Sequence, residues 1–191
     1  LGKPPSLGRR LVVIGGGSAA LDAARSARRA GHEVTILALE PGHAMPAQRE
    51  EVVEALEEGI VLRDASMLRA VAEAAPAGSS GLRLDCVRVD FEPGAQRGQF
   101  SVTPVEGGNF TLEADAIVSS IGQDPDLAAL DGALATEGVL LRIDERCATS
   151  AGGVWAGGDV ASMARFVTEA IGMGERAAIE IDRSLRGRRN G

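Results

Sequence analysis

Six small residues, Gly15-Gly16-Gly17-Ser18-Ala19-Ala20, follow the apolar run Leu11-Val12-Val13-Ile14 with no spacer. Gly15-x-Gly17-x-x-Ala20 is the spacing of a turn that carries a strand into a helix beneath a dinucleotide diphosphate. The first glycine permits the tight turn, the second lets the main chain approach the diphosphate, and Ala20 lets the helix pack closely. The attraction there comes from unpaired N–H groups and the positive end of the helix dipole, so no side chain has to react. Glu40 closes the run Ala38-Leu39-Glu40, about 20 residues beyond the glycines, where an acid can accept both ribose hydroxyls and repel a 2′-phosphate. Its charge predicts NAD(H) in preference to NADP(H). The third constellation is Gly157-Gly158-Asp159, after Val154-Trp155-Ala156. An acid in that position can reach a ribitol or ribose hydroxyl of a flavin. The following helix can offer N–H groups from its first turn near Val167 and Thr168.

Other chemistries lack the residues they need. His32 and His43 have no cysteine or acid at metal-ligand spacing, and His32 sits where a helix should turn into a strand. Cys86 and Cys147 form no C-x-x-C pair. Ser18 is not in a G-x-S-x-G elbow. The glutamates between Glu50 and Glu58 read as a solvated helix face. Asp22 reads as a partner of the helix dipole or of a buried hydrogen bond. No residue is assigned as a general acid or base, and no metal ligand is assigned.

The elements that must position these groups follow from patterning. Arg10–Ile14 and Val34–Ala38 are short apolar runs, as in parallel strands buried on both faces. Between them a helix reaching about Ala30 turns Ala20, Ala23, Ala24 and Ala27 inward, with Gly31 as its C-terminal cap. This is one βαβ unit. Arg49–Glu58 reads as a helix with Val52, Val53 and Leu56 on its buried face, and residues 60–62 as a strand. The period then shortens to two. Residues 68–74 and 82–91 read as extended, joined by a turn over Pro76–Gly81. Leu84 and Cys86 share one parity and Val87, Val89 and Phe91 the other, which predicts a β-bulge. Phe100–Val102 and Phe110–Ala114 alternate around Glu106-Gly-Gly-Asn109, which predicts a hairpin. These runs suggest an antiparallel meander inserted into an α/β unit of Rossmann type. Residues 116–121 return to a buried strand. Beyond Pro125, residues 139–143 and 154–156 read as strands, and a last helix from Phe166 to Leu185 turns Val167, Ala170, Ile171, Gly174, Ala178, Ile181 and Leu185 to one face.

The chain has 191 residues, 45% hydrophobic, with 20 Lys+Arg against 27 Asp+Glu and a formal net charge of −7. That charge, with 3% aromatics, excludes a nucleic-acid partner, which needs clustered cations and stacking rings. No apolar run approaches the ~20 residues of a membrane helix. Two cysteines make no disulfide framework, which predicts a reducing, cytoplasmic setting. Residues 1–9 read as a linker and 186–191 as a frayed tail.

Taken in order, Gly15-Gly-Gly-Ser-Ala-Ala-Leu-Asp22, Met45-Pro-Ala47, Glu54-Ala-Leu-Glu-Glu-Gly59, Ile121-Gly-Gln123 with Pro125, and Gly153-Val-Trp-Ala-Gly-Gly-Asp159 resemble the pyridine-nucleotide half of the glutamate synthase small-subunit family. That family belongs with the FAD-dependent NAD(P)H oxidoreductases. The resemblance runs from Arg9 to about Leu185. It implies a three-layer NAD(P)H-binding domain over 10–124 and the C-terminal part of an FAD-binding domain over 125–185. It implies that Gly122 and Gln123 approach the nicotinamide, that Gly158 and Asp159 hold the ribityl–diphosphate region of FAD, and that Val167 and Thr168 lie near the flavin ring. Two departures stand out. The family's upstream FAD fingerprint and its cysteine-rich iron–sulfur segment are absent, so the chain is expected to be the C-terminal part of a longer flavoprotein, with an incomplete FAD site. Leu39-Glu40 stands where the family often has an Arg-Arg pair suited to a 2′-phosphate.

The resulting expectation is electron transfer from NAD(P)H to FAD, with an upstream FAD and iron–sulfur part or a partner subunit completing the path, and homo-oligomerisation left open. The alternative is a non-catalytic dinucleotide-binding sensor or docking module. A self-contained dehydrogenase ranks last, since there is no tyrosine and neither histidine is placed to serve as a base.

Overall fold

Leu11, Val12 and Val13 are almost wholly buried, which a strand achieves only when both of its faces are covered. The computed structural model, which describes residues 7–74, 81–95, 99–130 and 132–189, shows how. Strand β1 (Arg10–Ile14) leads into α1 (Ser18–Arg29) and β2 (Glu33–Leu37), and then α2 (Arg49–Glu57) leads into β3 (Val61–Arg63). Strands β4 (Ser66–Glu73), β5 (Leu82–Pro93) and β6 (Phe100–Ala114) follow, and β7 (Ala116–Ser119) returns. The four-stranded sheet has the order β3-β2-β1-β7. All its pairs are parallel, with Val13 opposite Ile36 on one side and Val118 on the other.

Alternation along the central strands divides the core in two. Val13, Val34 and Ile36 face α1 and α2, where they meet Ala20, Leu21, Ala24 and Ala55. Val12 and Leu37 face the opposite way and meet Leu84, Cys86 and Ala114 of the antiparallel sheet β4-β5-β6. The first unit therefore has three layers: helices, parallel sheet and meander, as expected.

Both helices end the same way. Gly31 (φ +97°) donates to Arg28 O at 3.0 Å, and His32 donates to Ala27 O at 3.2 Å. Gly59 (φ +80°) donates to Leu56 O at 3.0 Å, and Ile60 to Ala55 O at 3.1 Å. These are Schellman caps, which need a residue tolerant of positive φ at that point. On α2 the packed side is Val52 and Ala55, while Val53 and Leu56 are exposed, so the expected face is rotated.

The meander departs from expectation at one place. Glu106–Asn109 is not a hairpin turn: residues on either side of it pair with the same partner strand, Asn109 with Val87 and Pro104 with Val89. Residues 105–108 are looped out opposite Arg88, and β6 continues through them as one strand of 15 residues. The pairing of β5 does shift here, between Val87 and Val89, but the extra residues belong to β6 and not to β5 as expected; at the second shift, between Leu68 and Ala70, the extra residue is on β4. The reversal from β5 to β6 comes earlier, where Gly94 N–H donates to Gln99 O at 2.7 Å. The turn assigned to Pro76–Gly81 falls outside the described residues apart from Gly81.

The chain divides into two compact units, Leu1–Gly122 and Gln123–Gly191. Strand β7 stops at Ser119, and Ile121 is 76% exposed rather than buried. In the second unit the expected strand over 139–143 shrinks to β9 (Leu140–Leu141), paired with β8 (Thr136–Glu137). Trp155 forms a single antiparallel bridge to Ala148 rather than a full strand. Helix α3 spans Val167–Arg189, so helix replaces the expected frayed tail as far as Arg189. Its buried residue is Met173, with Ala170 and Ala177 half-buried, whereas Val167, Ile171, Ile181 and Leu185 are exposed. The helix is turned away from the face that its large apolar residues suggested, because its close contacts are to glycines.

Candidate functional site

Gly15 opens the turn after β1 with φ +138°, and its N–H donates to Leu37 O at 3.0 Å. A Cβ there would lie 2.2 Å from Ser120 O, so the loop after β7 closes directly over this residue. Gly17 is extended (φ −89°, ψ 170°) and starts α1 without a side-chain cap or a first-turn acid. Its carbonyl accepts Ala20 N–H at 2.9 Å and Leu21 N–H at 3.2 Å. A Cβ on Gly17 would meet nothing within 4 Å, so the helix start opens onto free space. An uncapped, open N-terminus with no acid in its first turn is suited to an anion. Ala19, in that first turn, is exposed, while Ala20 is fully buried against the sheet.

Glu40 is brought to the same place. A Cβ on Gly16 would come within 2.6 Å of its Oε2, and within 3.4 Å of Pro46 Cδ. Ala47 N–H donates to Gly16 O at 3.1 Å, so the Met45-Pro-Ala47 segment packs on the turn. One strand over, Asp64 Oδ2 accepts Gly42 N–H at 2.7 Å. The ends of β2 and β3 thus each carry an acid, Glu40 and Asp64.

Two acids depart from the solvated face that patterning predicts. Glu51 is half-buried, and its Oε2 accepts the Ser18 hydroxyl at 2.7 Å. Glu58 is also half-buried and binds Arg25 at 2.8 Å and Arg29 at 2.6 Å, which holds its carboxyl below the usual range. Neither belongs to a solvated face. The readable signal for Glu51 was Gln48-x-x-Glu51, the spacing of a capping box. Asp22 is exposed and takes no part in a buried hydrogen bond.

In the second unit, Gly158–Val160 forms a single helical turn whose Gly158 has φ +72°. Gly158 N–H points to Met173 Sδ at 3.4 Å, and a Cβ on Gly157 would lie 2.9 Å from Met173 Cβ. The glycine pair seats the first turns of α3, and Asp159 is left exposed beside it. Val167 and Thr168, at the start of α3, are exposed, with Val167 at 76%. Ser162 Oγ reaches Glu169 Oε1 at 2.9 Å within the same unit. Gly122 (φ +88°) and Gln123, both exposed, are the last and first residues of the two units. The candidate residues therefore form two groups, Gly15–Ala20 with Glu40 and Gly158–Asp159 with Val167–Thr168.

The remaining candidates are structural. His32 Nδ1 lies 2.8 Å from Gly8 O. Cys86 is buried in β5, where burial and then the charge of Asp85 push its thiol up to about 11. Among the described residues no cluster of His, Cys, Asp or Glu could hold a metal ion, and no helix is long and apolar enough to cross a membrane.

Residues 2–174 match the model of the family described as pyridine nucleotide-disulphide oxidoreductase. The chain is 38% identical over 191 residues to the NADP(+)-dependent formate dehydrogenase subunit beta of Moorella thermoacetica, covering 97% of this chain and 26% of that protein. It is 31% identical to the glutamate synthase [NADPH] small chain of Azospirillum brasilense, covering 90% of this chain and 36% of that one. The chain thus spans only a part of these relatives. Its fold is that of T. acidophilum thioredoxin reductase, at a TM-score of 0.69 and 22% identity over 94% of this chain and 54% of that chain. With the resemblance to glutamate synthase small chains borne out, the chain belongs to the pyridine nucleotide-disulphide oxidoreductase family.

Proposed function

We propose that this chain is the pyridine-nucleotide half of a glutamate synthase small-subunit-like flavoprotein that passes electrons from NAD(P)H to FAD. The observation that carries the reading is the helix start at Gly17, uncapped and open to free space. In this reading the amides of Gly16, Gly17, Ser18 and Ala19 hold the diphosphate; the N–H groups of Gly15 and Ala20 are taken by Leu37 O and Gly17 O, so Gly15 makes the turn and Ala20 lets α1 approach the sheet. Gly122 and Gln123 flank the nicotinamide. FAD, when bound, supplies the two-electron acceptor that takes the hydride. The chain's own part in that site is Gly158 with Asp159, which orient the ribityl–diphosphate region, and Val167 with Thr168 beside the ring. The seating of Gly157 and Gly158 on α3 supports this, since it leaves Asp159 exposed beside the start of that helix. The rest of the FAD site and the onward electron path belong to an upstream segment or a partner subunit.

Within this reading the dinucleotide is NAD(H). The relatives named above carry NADP or NADPH in their names, whereas here the carboxylate of Glu40 lies against Gly16. A 2′-phosphate beside that carboxylate would meet like charge instead of a bidentate guanidinium.

The test is anaerobic reduction of the intact flavoprotein by NADH and by NADPH, followed as loss of flavin absorbance. Faster reduction by NADH, reversed towards NADPH in Glu40→Arg, is expected. Reduction by neither dinucleotide would overturn electron transfer, and dinucleotide binding without any flavin in the intact protein would favour the sensor or docking module. An unchanged preference in Glu40→Arg would remove the ribose assignment alone.

A further inference from the structure

The turn at Gly17 is gripped from both sides by the segment that begins α2. Before Gly17, Gly16 O accepts Ala47 N–H at 3.1 Å. After it, the Ser18 hydroxyl donates to Glu51 Oε2 at 2.7 Å. The same Oε2 accepts the main-chain N–H of Gln48 at 3.0 Å, closing the capping box of α2. One carboxylate oxygen therefore joins the first residue of α1 to the start of α2. The residue between the two grips, Gly17, is the one that faces open space.

We propose that Glu51 is a positioning residue for dinucleotide binding, fixing the diphosphate turn through Ser18. This rests on the dinucleotide reading of that turn. The hydroxyl proton of Ser18 is committed to Glu51, so Ser18 contributes its main-chain N–H to the diphosphate and not its side chain. Without the grip, the start of α1 is held on the Gly16 side only, and its amides have to be ordered by the ligand. Ordering a loose segment on binding costs affinity. Glutamine at position 51 retains an oxygen that can accept from both Ser18 and Gln48, so the role is one of geometry and survives loss of the charge.

The experiment is calorimetric titration of the intact protein with NADH, NADPH and ADP-ribose, on wild type, Ser18→Ala, Glu51→Ala, Glu51→Gln and the double variant Ser18→Ala/Glu51→Ala. Glu51→Ala and Ser18→Ala should each weaken binding roughly tenfold, a typical effect of one lost hydrogen bond to a charged group. The double variant should be no weaker than the worse single one, and Glu51→Gln should stay within about threefold of wild type. Thermal midpoints separate this from simple helix capping: loss of the cap lowers the midpoint in Glu51→Ala but not in Ser18→Ala. Wild-type affinity in Ser18→Ala, additive effects, or failure of Glu51→Gln to restore binding would each overturn the positioning role while leaving the dinucleotide site intact. Wild-type protein that binds none of the three ligands would overturn the dinucleotide reading and this inference together.

Discussion

Asp115 holds Arg10 at two points: its Oδ2 accepts the Arg10 main-chain N–H at 2.8 Å, and its Oδ1 receives the Arg10 guanidinium at 3.1 Å. Oδ2 also accepts Arg9 N–H at 2.7 Å. The residue before β7 thereby sets where β1 begins, and β1 leads directly into the glycine turn. The N–H groups of Arg10 and Arg9, and then the Arg10 guanidinium, hold the Asp115 carboxyl below the usual carboxylate range.

Because that carboxyl is depressed in the folded protein, its contribution is complete above the unfolded value of about 4 and is lost as pH falls through the lower folded value. Asp115→Asn should lower the thermal midpoint at neutral pH and flatten its decline in acid. Melting curves from about pH 2 to about pH 7 provide the check; parallel acid limbs in variant and wild type would refute it.

Glu58 has the same sign, with Arg25 first and Arg29 second as the causes of its lowered value. It ties α2 to α1 across a partly exposed surface, so salt should weaken it. Glu58→Gln should reduce stability at low ionic strength and lose most of its difference from wild type at about 1 M salt, where the Debye length is ~3 Å. Denaturant midpoints at low and high salt test this.

Gly15→Ala adds a methyl group within 2.2 Å of Ser120 O, at a φ of +138°. Neither the backbone angle nor the neighbouring carbonyl accommodates it. Destabilisation of more than about 1 kcal/mol is expected, with loss of dinucleotide binding. Gly17→Ala, with open space around it and an extended backbone, should cost far less stability. Chemical denaturation of the two variants compares them directly.

Gly157 is extended rather than left-handed, so Gly157→Ala is a purely steric change against Met173 at 2.9 Å. A cost of about 1–3 kcal/mol is expected from overpacking. Trp155, the only tryptophan, lies two positions away, and its emission should report the loosening of the second unit.

Both cysteines are buried, and the Cys86 thiol is raised to about 11 by burial and then by Asp85. Neither should react with a thiol reagent at about pH 8 until the chain unfolds, since reactivity follows the thiolate fraction and access. Stopped-flow labelling in buffer and in denaturant gives the comparison.

The βαβ unit was legible because each level of the sequence agreed. A run buried on both faces, small residues on the inward side of α1 and a glycine at its C-terminal cap all pointed to one structure, and the glycine turn and Glu40 came with it. The looped-out segment at 105–108 was not legible. Alternation on either side of Gly107-Gly108 is equally compatible with a hairpin, and only the pairing of both flanks with β5 decides. The packed face of α3 was not legible for a different reason: its large apolar residues imply one face, while the close contacts are made through Met173 and Ala170 against glycines that show no periodicity. Glu51 was hidden among glutamates of similar appearance, and its role depends on Ser18, far away in sequence.

The meander supplies the cover over Val12 and Leu37. A shorter relative that dispensed with β4, β5 and β6 would expose an oily face on its nucleotide domain. It would have to recolour alternate positions of β1 and β2 with polar side chains, or recruit another chain as a roof. Trimming this excursion is therefore not a neutral way to miniaturise the domain, however far its tip lies from the glycine turn in sequence.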